Sequence, residues 1–208
     1  MTVSSDMRDR LDRYTALVRA EAARQNLVSA STLDQFETRH IDDSAQLLDL
    51  APAGGHWLDI GSGAGLPGVV LGILGARVRL VESRRLRYDF LAAIIAALDL
   101  GDRVTLHAGR LETMPTERFD RITARAFAPL PKLLDTAHRF AGPETVWVLP
   151  KGRGAADELA AVRQTWRGDF RILPSRTDAD AAILVATGVA PVRSAPVRFA
   201  PARFKESR

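Results

Sequence analysis

Apolar positions fall into two patterns along this chain. In the first fifty residues the spacing is helical: Met7, Leu11, Tyr14, Leu17 and Val18 stand three and four positions apart, one face of a helix that ends by Asn26. Ser31-Thr32-Leu33-Asp34 resembles a capping box that starts a further helix. Ile41, Ala45, Leu47 and Leu48 mark another, which must stop before Pro52. From residue 56 short apolar runs alternate with helical stretches. The pattern predicts strand 56–60, helix 67–74, strand 77–82, helix 84–99, strands 103–107 and 119–124, helix 130–140, strand 144–149, helix 155–166, and strands near 169–173 and 181–187. Helix 84–99 is the clearest, with Leu86, Phe90, Leu91, Ile94, Ile95 and Leu98 on one face and Ser83 placed to cap it.

Short apolar runs separated by helices are parallel strands buried on both faces. The last two runs have no helical pattern between them and predict an antiparallel hairpin at one sheet edge. The expected architecture is therefore α/β: a doubly wound, mostly parallel sheet over residues 53–189, a helical extension over 1–52, and a tail over 190–208. Ligands of such sheets bind at the carboxyl ends of the strands.

One segment carries most of the chemistry. Asp59-Ile60-Gly61-Ser62-Gly63-Ala64-Gly65-Leu66-Pro67-Gly68 links the first predicted strand to its helix. Gly61, Gly63 and Gly65 allow a tight turn and close approach of a ligand to backbone N–H groups, and Pro67 suits the first helical turn. Glu82 ends the next strand, 21 positions after Gly61, the spacing of a carboxylate that grips a ribose diol. These features predict an adenosine-containing cofactor. Asp59 favours S-adenosylmethionine (SAM) over a dinucleotide, because a carboxylate at the loop entrance repels a pyrophosphate and tolerates an ammonium and a sulfonium, directly or through water.

Residues after the later strands complete the candidate site. Leu111 and Glu112 are placed to meet the adenine face or its amino group; the alternative is a solvated loop. Arg125 follows the fourth strand, Lys151 and Arg153 the fifth, and all three fall beside the cofactor. Arg125 is a partner for the cofactor or a phosphate, or else of a neighbouring carboxylate. Lys151 and Arg153 suit a polyanionic substrate, the alternative being surface charge. Arg39-His40 could clamp a base or a phosphate, or make a helix contact inside the core.

Composition limits the reaction. The chain has 208 residues, 46% of them hydrophobic, enough for one ordinary domain with additions. It has no cysteine, which excludes disulfides, thiolate metal sites and a cysteine nucleophile for pyrimidine C5. His40, His56, His107 and His138 show no metal-ligand spacing, so no metal is expected. No apolar run reaches the ~20 residues of a membrane span, and a cytoplasmic monomer is the simplest expectation. The stretch Arg125-Ala126-Phe127-Ala128-Pro129 offers no amide or carboxylate for an exocyclic base amine. Guanine N7 needs neither, since its lone pair attacks a sulfonium directly and the protein supplies placement.

The whole net charge of +4 resides in the tail, where Arg193, Arg198, Arg203, Lys205 and Arg208 face only Glu206. The tail repeats Ala-Pro-Val-Arg, with Phe199 and Phe204 interleaved. Its prolines exclude a helix. It is read either as nonspecific RNA affinity or as a disordered, solubilising end.

With these residues in hand, the chain resembles the small-subunit ribosomal RNA methyltransferase G family, also called GidB or RsmG. The resemblance runs from about residue 10 to 187, through Asn26-Leu27-Val28-Ser29, Arg39-His40-Ile41-Asp42-Asp43-Ser44, the glycine loop, Thr123-Ala124-Arg125-Ala126-Phe127-Ala128-Pro129-Leu130 and Lys151-Gly152. It implies SAM contacts at Gly61, Leu66, Leu111, Glu112 and Arg125. It also implies guanine-N7 methylation in the decoding-region loop of bacterial 16S rRNA, so that the partner is 16S rRNA or the small ribosomal subunit. Asp178-Ala179-Asp180-Ala181-Ala182 lacks the basic pair that some members carry, and the tail lies outside the family pattern. Two other readings stay open. A nicotinamide-dependent oxidoreductase would leave Asp59 unexplained and lacks a Tyr-x-x-x-Lys arrangement. A noncatalytic rRNA-binding assembly protein would use the tail.

Overall fold

The computed structural model describes residues 3–29 and 33–192. The expected cap at Ser31-Thr32 and all but the start of the expected tail lie outside the described residues. Seven strands form one sheet: β1 (His56–Ile60), β2 (Arg77–Glu82), β3 (Val104–Ala108), β4 (Phe119–Thr123), β5 (Ala141–Lys151), β6 (Trp166–Pro174) and β7 (Ala182–Pro191). Their order is β3-β2-β1-β4-β5-β7-β6. The first five are parallel, and β7 runs antiparallel to both β5 and β6. The expected hairpin is present with its second strand inside the sheet and β6 at the edge. Strand β7 continues past the expected end at 187, so the α/β domain takes in the beginning of the expected tail.

Helices cover both faces: α1 (Ser5–Ala22), α3 (Gly68–Ile73), α4 (Arg85–Ala97), α5 (Leu130–Ala137) and α6 (Ala155–Val162). Between α1 and β1 lies a helical run called α2 here, made of a π-helical stretch Glu37–Asp42, one α turn Asp43–Ala45 and a 3-10 stretch Gln46–Leu50. No helix among the described residues is long and apolar enough to cross a membrane.

Strand alternation sorts the core into two layers. Trp57, Val78, Leu80, Val146 and Val148 point to one face and pack with α1, α2, α3 and α4. Leu58, Ile60, Ile122, Trp147 and Leu149 point to the other and pack with α5 and α6. Full burial of each such side chain contributes about 1.5–3 kcal/mol. The N-terminal helices are part of the first layer: Leu11, Tyr14, Val18, Ile41 and Leu47 lie in the same buried cluster as Trp57 and Leu80. Helix α1 also stops the far end of α4, where Arg13 donates to the Ala97 carbonyl and Arg10 to that of Asp99. Cations at a helix C-terminus complement its dipole.

Two local expectations are corrected. Ser83 does not cap α4; the cap position is Arg84, and its N–H donates to Glu82 Oε1 at 2.8 Å. Leu86 does not join the apolar face formed by Leu91, Ile94 and Leu98, but is 66% exposed, since at 3.6 residues per turn it lies roughly 80–140° around the helix from those three.

The chain leaves β1 toward β2 and β3, then returns to β4 on β1's other side. This reversal opens a crevice beyond the carboxyl ends of β1 and β4. The glycine loop closes one wall of it. Gly65 has φ +99°, and a Cβ there would stand 2.6 Å from Val69 Cγ2 and 3.2 Å from Leu91 Cδ2. The glycine lets the loop pack closely against α3 and α4. Gly65→Ala should therefore cost roughly 2–4 kcal/mol, combining a left-handed alanine with overpacking. Urea unfolding measures it, and a loss below ~1 kcal/mol would mean the loop relaxes freely.

Candidate active site

The loop after β1 is held by its neighbours before any ligand arrives. Gly61 and Ser62 donate their N–H groups to the Val81 carbonyl at 2.9 and 3.1 Å, continuing the β1–β2 pairing. Gly61 and Gly63 have φ of +72° and +57°, conformations that glycine adopts without penalty. Gly63 N–H donates to Glu82 Oε2 at 3.0 Å. With Arg84 N–H on its other oxygen, the Glu82 carboxylate ties the loop after β1 to the start of α4. From α1, Tyr14 donates its hydroxyl to the Ala64 carbonyl at 3.0 Å.

A cleft of about 380 Å³ opens beside this loop, lined by Gly61, Val81, Glu82, Ser83, Arg84, Arg87, the 109–112 segment, Ala126 and Phe127. The predicted ribose carboxylate Glu82 and the predicted adenine contacts Leu111 and Glu112 thus share one wall with Gly61. Leu111 is buried and supplies an apolar surface. Glu112 is exposed, 3.5 Å from Arg110.

Five predicted cofactor contacts are outside this lining: Asp59, Gly63, Gly65, Leu66 and Arg125, the last of which lines a neighbouring cavity. Gly65 and Leu66 do not line the cleft, and Leu66 is buried in the helix layer beneath it. Asp59 is fully buried. As the fourth residue of β1 it points into the α3 layer, where Oδ2 accepts from Gly68 N–H at 3.1 Å and Oδ1 has no partner among the described residues. Burial raises its pKa to about 6, opposed by the nearby Ser62 hydroxyl, which itself donates to the Asp59 backbone carbonyl at 3.1 Å, and by the Gly68 N–H. Its side chain braces the loop from below.

A second cavity, about 770 Å³, adjoins the cleft. Arg39, His40, Asp43, Arg125, Lys151 and Thr177 line it, and Ala126 and Phe127 belong to both cavities. Arg125 Nη1 donates to His40 Nδ1 at 3.1 Å and stands 3.8 Å from Asp43 Oδ2. A guanidinium can only donate, so His40 is the Nε2–H tautomer. Burial, then the charges of Arg125 and Arg39, lower the His40 pKa to about 4, and the ring is neutral at pH 7. Asp43 Oδ1 accepts from Gln46 at 2.9 Å and from Thr177 at 2.8 Å, joining α2 to the β6–β7 connection. Arg125 therefore has the neighbouring carboxylate that the sequence left open.

The other predicted cations are also paired. Lys151, only 8% exposed, donates to Glu158 at 2.8 Å, and Glu158 in turn accepts from Leu130 N–H at the start of α5. Arg39 pairs with Asp178 at 2.8 Å and Arg153 with Asp180 at 2.7 Å. Arg153 lines neither cavity. Among the described residues no group of three or more His, Asp or Glu side chains could hold a metal ion.

Sequence reasoning passed over Phe127 as a site residue. Its ring is 41% exposed where the two cavities meet, and a Cβ on Gly61 would stand 2.7 Å from its Cδ2. Ala126, at φ +53°, turns the chain so that the ring reaches this point. The available signal was an aromatic directly after the fourth strand.

This strand order, with the crevice at the β1–β4 reversal, defines an α/β methyltransferase fold. The crystal structure of the glycopeptide N-methyltransferase MtfA complexed with (S)-adenosyl-L-methionine matches it with a TM-score of 0.61, at 13% identity, over 71% of this chain and 93% of that one. The chain belongs to the rRNA small subunit methyltransferase G (GidB) family, whose model matches residues 7–172. The ribosomal RNA small subunit methyltransferase G of Rhizorhabdus wittichii is 51% identical over 185 residues, 87% of this chain and 85% of the relative. That of Sphingopyxis alaskensis is 47% identical over 192 residues, 90% and 82% respectively.

The raised pKa of Asp59 makes stability depend on pH. The folded protein holds this proton more tightly than the unfolded chain, so Asp59 favours folding below pH ~4 and loses that contribution as pH rises through about 6. Relative to Asp59→Asn, wild type should thus lose stability between pH ~4 and ~6, read by urea unfolding across that range. A pH-independent difference would show that Asp59 is ionised throughout.

Proposed function

We propose that the protein transfers the methyl group of SAM to N7 of a guanine in the decoding-region loop of bacterial 16S rRNA. The observation that carries this reading is the junction of two cavities at Ala126 and Phe127 in a chain of this family. One cavity suits the methyl donor and the other a substrate base.

The cleft's residues fit an adenosine-bearing donor. Glu82 sits nearly buried at its floor, each carboxylate oxygen already accepting one backbone N–H, and its remaining lone pairs would hold the ribose hydroxyls. Leu111 would pack on the adenine, and Glu112 is the acceptor for its amino group. When bound, the donor supplies an electrophilic sulfonium methyl, which a ring nitrogen with a free lone pair attacks without prior deprotonation. The protein's task is then placement and water exclusion.

The second cavity suits a purine. Phe127 offers a ring face on which the base can stack, worth about 1–3 kcal/mol per base. Positive charge develops on guanine as N7 is methylated. The neutrality of His40 and the carboxylate of Asp43 beside Arg125 keep that wall from opposing it. Family membership does not favour the oxidoreductase or the noncatalytic reading.

His40→Ala should retain SAM affinity and lose about 100-fold in methyl transfer, because a small displacement of the base suffices for such a loss. Isothermal titration with SAM and single-turnover methylation of 16S rRNA read the two effects; normal turnover would assign His40 to structure. The functional reading itself is tested by mass mapping of 16S rRNA from a deletion strain. Wild type should restore a single N7-methylguanine and Gly63→Asp should not, while an unaltered methylation pattern in the deletion strain contradicts the proposal.

A further inference from the structure

The mouth of the cofactor cleft carries more positive charge than its cofactor can use. Arg84 and Arg87, at the start of α4, and Arg110, after β3, line it. Arg85, beside them, is 83% exposed. Three of these arginines crowd the first turn of α4, where the helix dipole disfavours cations. Helix stability therefore does not account for them.

Their local partners do not neutralise them either. Arg85 and Arg110 approach Asp89 and Glu112 only to 3.5 Å, on open surface where such pairs contribute little. Arg87 donates to the Asn26 carbonyl, a neutral group. Arg84 bonds only through its backbone N–H, to Glu82, and its side chain has no ion pair or hydrogen bond among the described residues. SAM carries no phosphate and a single carboxylate, on its methionine end beside its own ammonium, so it can engage at most one or two of these cations and leaves the others without an anion. The arginines assigned to RNA from sequence, Arg39 and Arg153, have by contrast close carboxylate partners in Asp178 and Asp180.

We propose that Arg84, Arg85, Arg87 and Arg110 form the surface that binds the phosphate backbone of the RNA substrate, so that the RNA crosses the mouth of the cofactor cleft and covers it during methyl transfer. This inference rests on the reading of the protein as an rRNA methyltransferase. Continuity with the site supports it. The same cleft is walled by Phe127, which also lines the second cavity, so a strand lying on the arginines is placed to turn one base past that ring. Leu86 stands exposed among the arginines and offers an apolar contact to a sugar or base. A binding order follows. SAM enters before RNA, and S-adenosylhomocysteine leaves after it.

The test uses full-length protein and unmethylated 16S rRNA transcript, with filter binding between 50 and 300 mM salt. Wild type is compared with Arg84→Gln/Arg85→Gln/Arg110→Gln and with Arg39→Gln/Arg153→Gln. The first variant should flatten the log–log salt slope by about 2, at about 0.7–0.9 for each lost phosphate contact. The second should change it by less than about 0.5. An unchanged circular dichroism spectrum and urea midpoint verify folding, and Arg85→Gln alone gives a version that leaves the cleft lining untouched. RNA should also slow release of S-adenosylhomocysteine from wild type by at least about tenfold, and not from the triple variant. An unchanged slope in the triple variant, with wild type still binding RNA, overturns the arginine surface alone. Wild type that binds SAM yet neither binds nor methylates the transcript overturns the functional reading beneath it.

Discussion

The site depends on the carboxylate of Glu82. It sits at the end of β2, nearly out of solvent, and accepts hydrogen bonds from Gly63 N–H on one side and Arg84 N–H on the other. Hydrogen bonds to a charged group are worth about 1.5–3 kcal/mol each. This pair fixes a glycine loop that would otherwise lose most conformational entropy on folding. The same carboxylate is the group placed to meet a ribose. One residue therefore sets the shape of the cleft and offers its most specific contact.

The N-terminal helices are as much a part of the site as the strand ends. Tyr14 reaches from α1 to the glycine loop, and α2 brings His40 and Asp43 to Arg125. Through Asp43 and Thr177 the contact extends to the connection between β6 and β7. The Arg125 guanidinium thus meets α2 directly and the β6–β7 connection through Asp43. Its charge is balanced before a base arrives, a sensible arrangement for a reaction that leaves the base cationic. The π-helical winding of Glu37–Asp42 belongs to the same constraint, since such turns are frequent at functional sites and this one carries His40 into the cavity wall.

Much of this was legible in the chain itself. Strands buried on both faces leave continuous apolar runs, so β1 and β2 fall where those runs predict, and the glycine loop with Glu82 marks the cleft. Direction was harder to read than position. Asp59 precedes the glycines, yet strand alternation turns it under α3 rather than into the cleft, which is visible only once the two faces are assigned. Arg39 and Arg153 look like free cations in sequence, because the acids that neutralise them lie about 140 and 27 positions away and meet them only in the folded sheet. Lys151 is similar, its partner Glu158 being brought near by the turn into α6. Phe127 escaped notice because its exposure depends on a left-handed alanine, which no propensity favours.

The most direct test of this account is calorimetric titration of wild type and Glu82→Gln with SAM and, separately, with NAD. Wild type should bind SAM and show no heat with NAD, and the variant should bind SAM at least about tenfold more weakly, the equivalent of one charged hydrogen bond. Tighter binding of NAD than of SAM, or SAM affinity indifferent to Glu82, would contradict it.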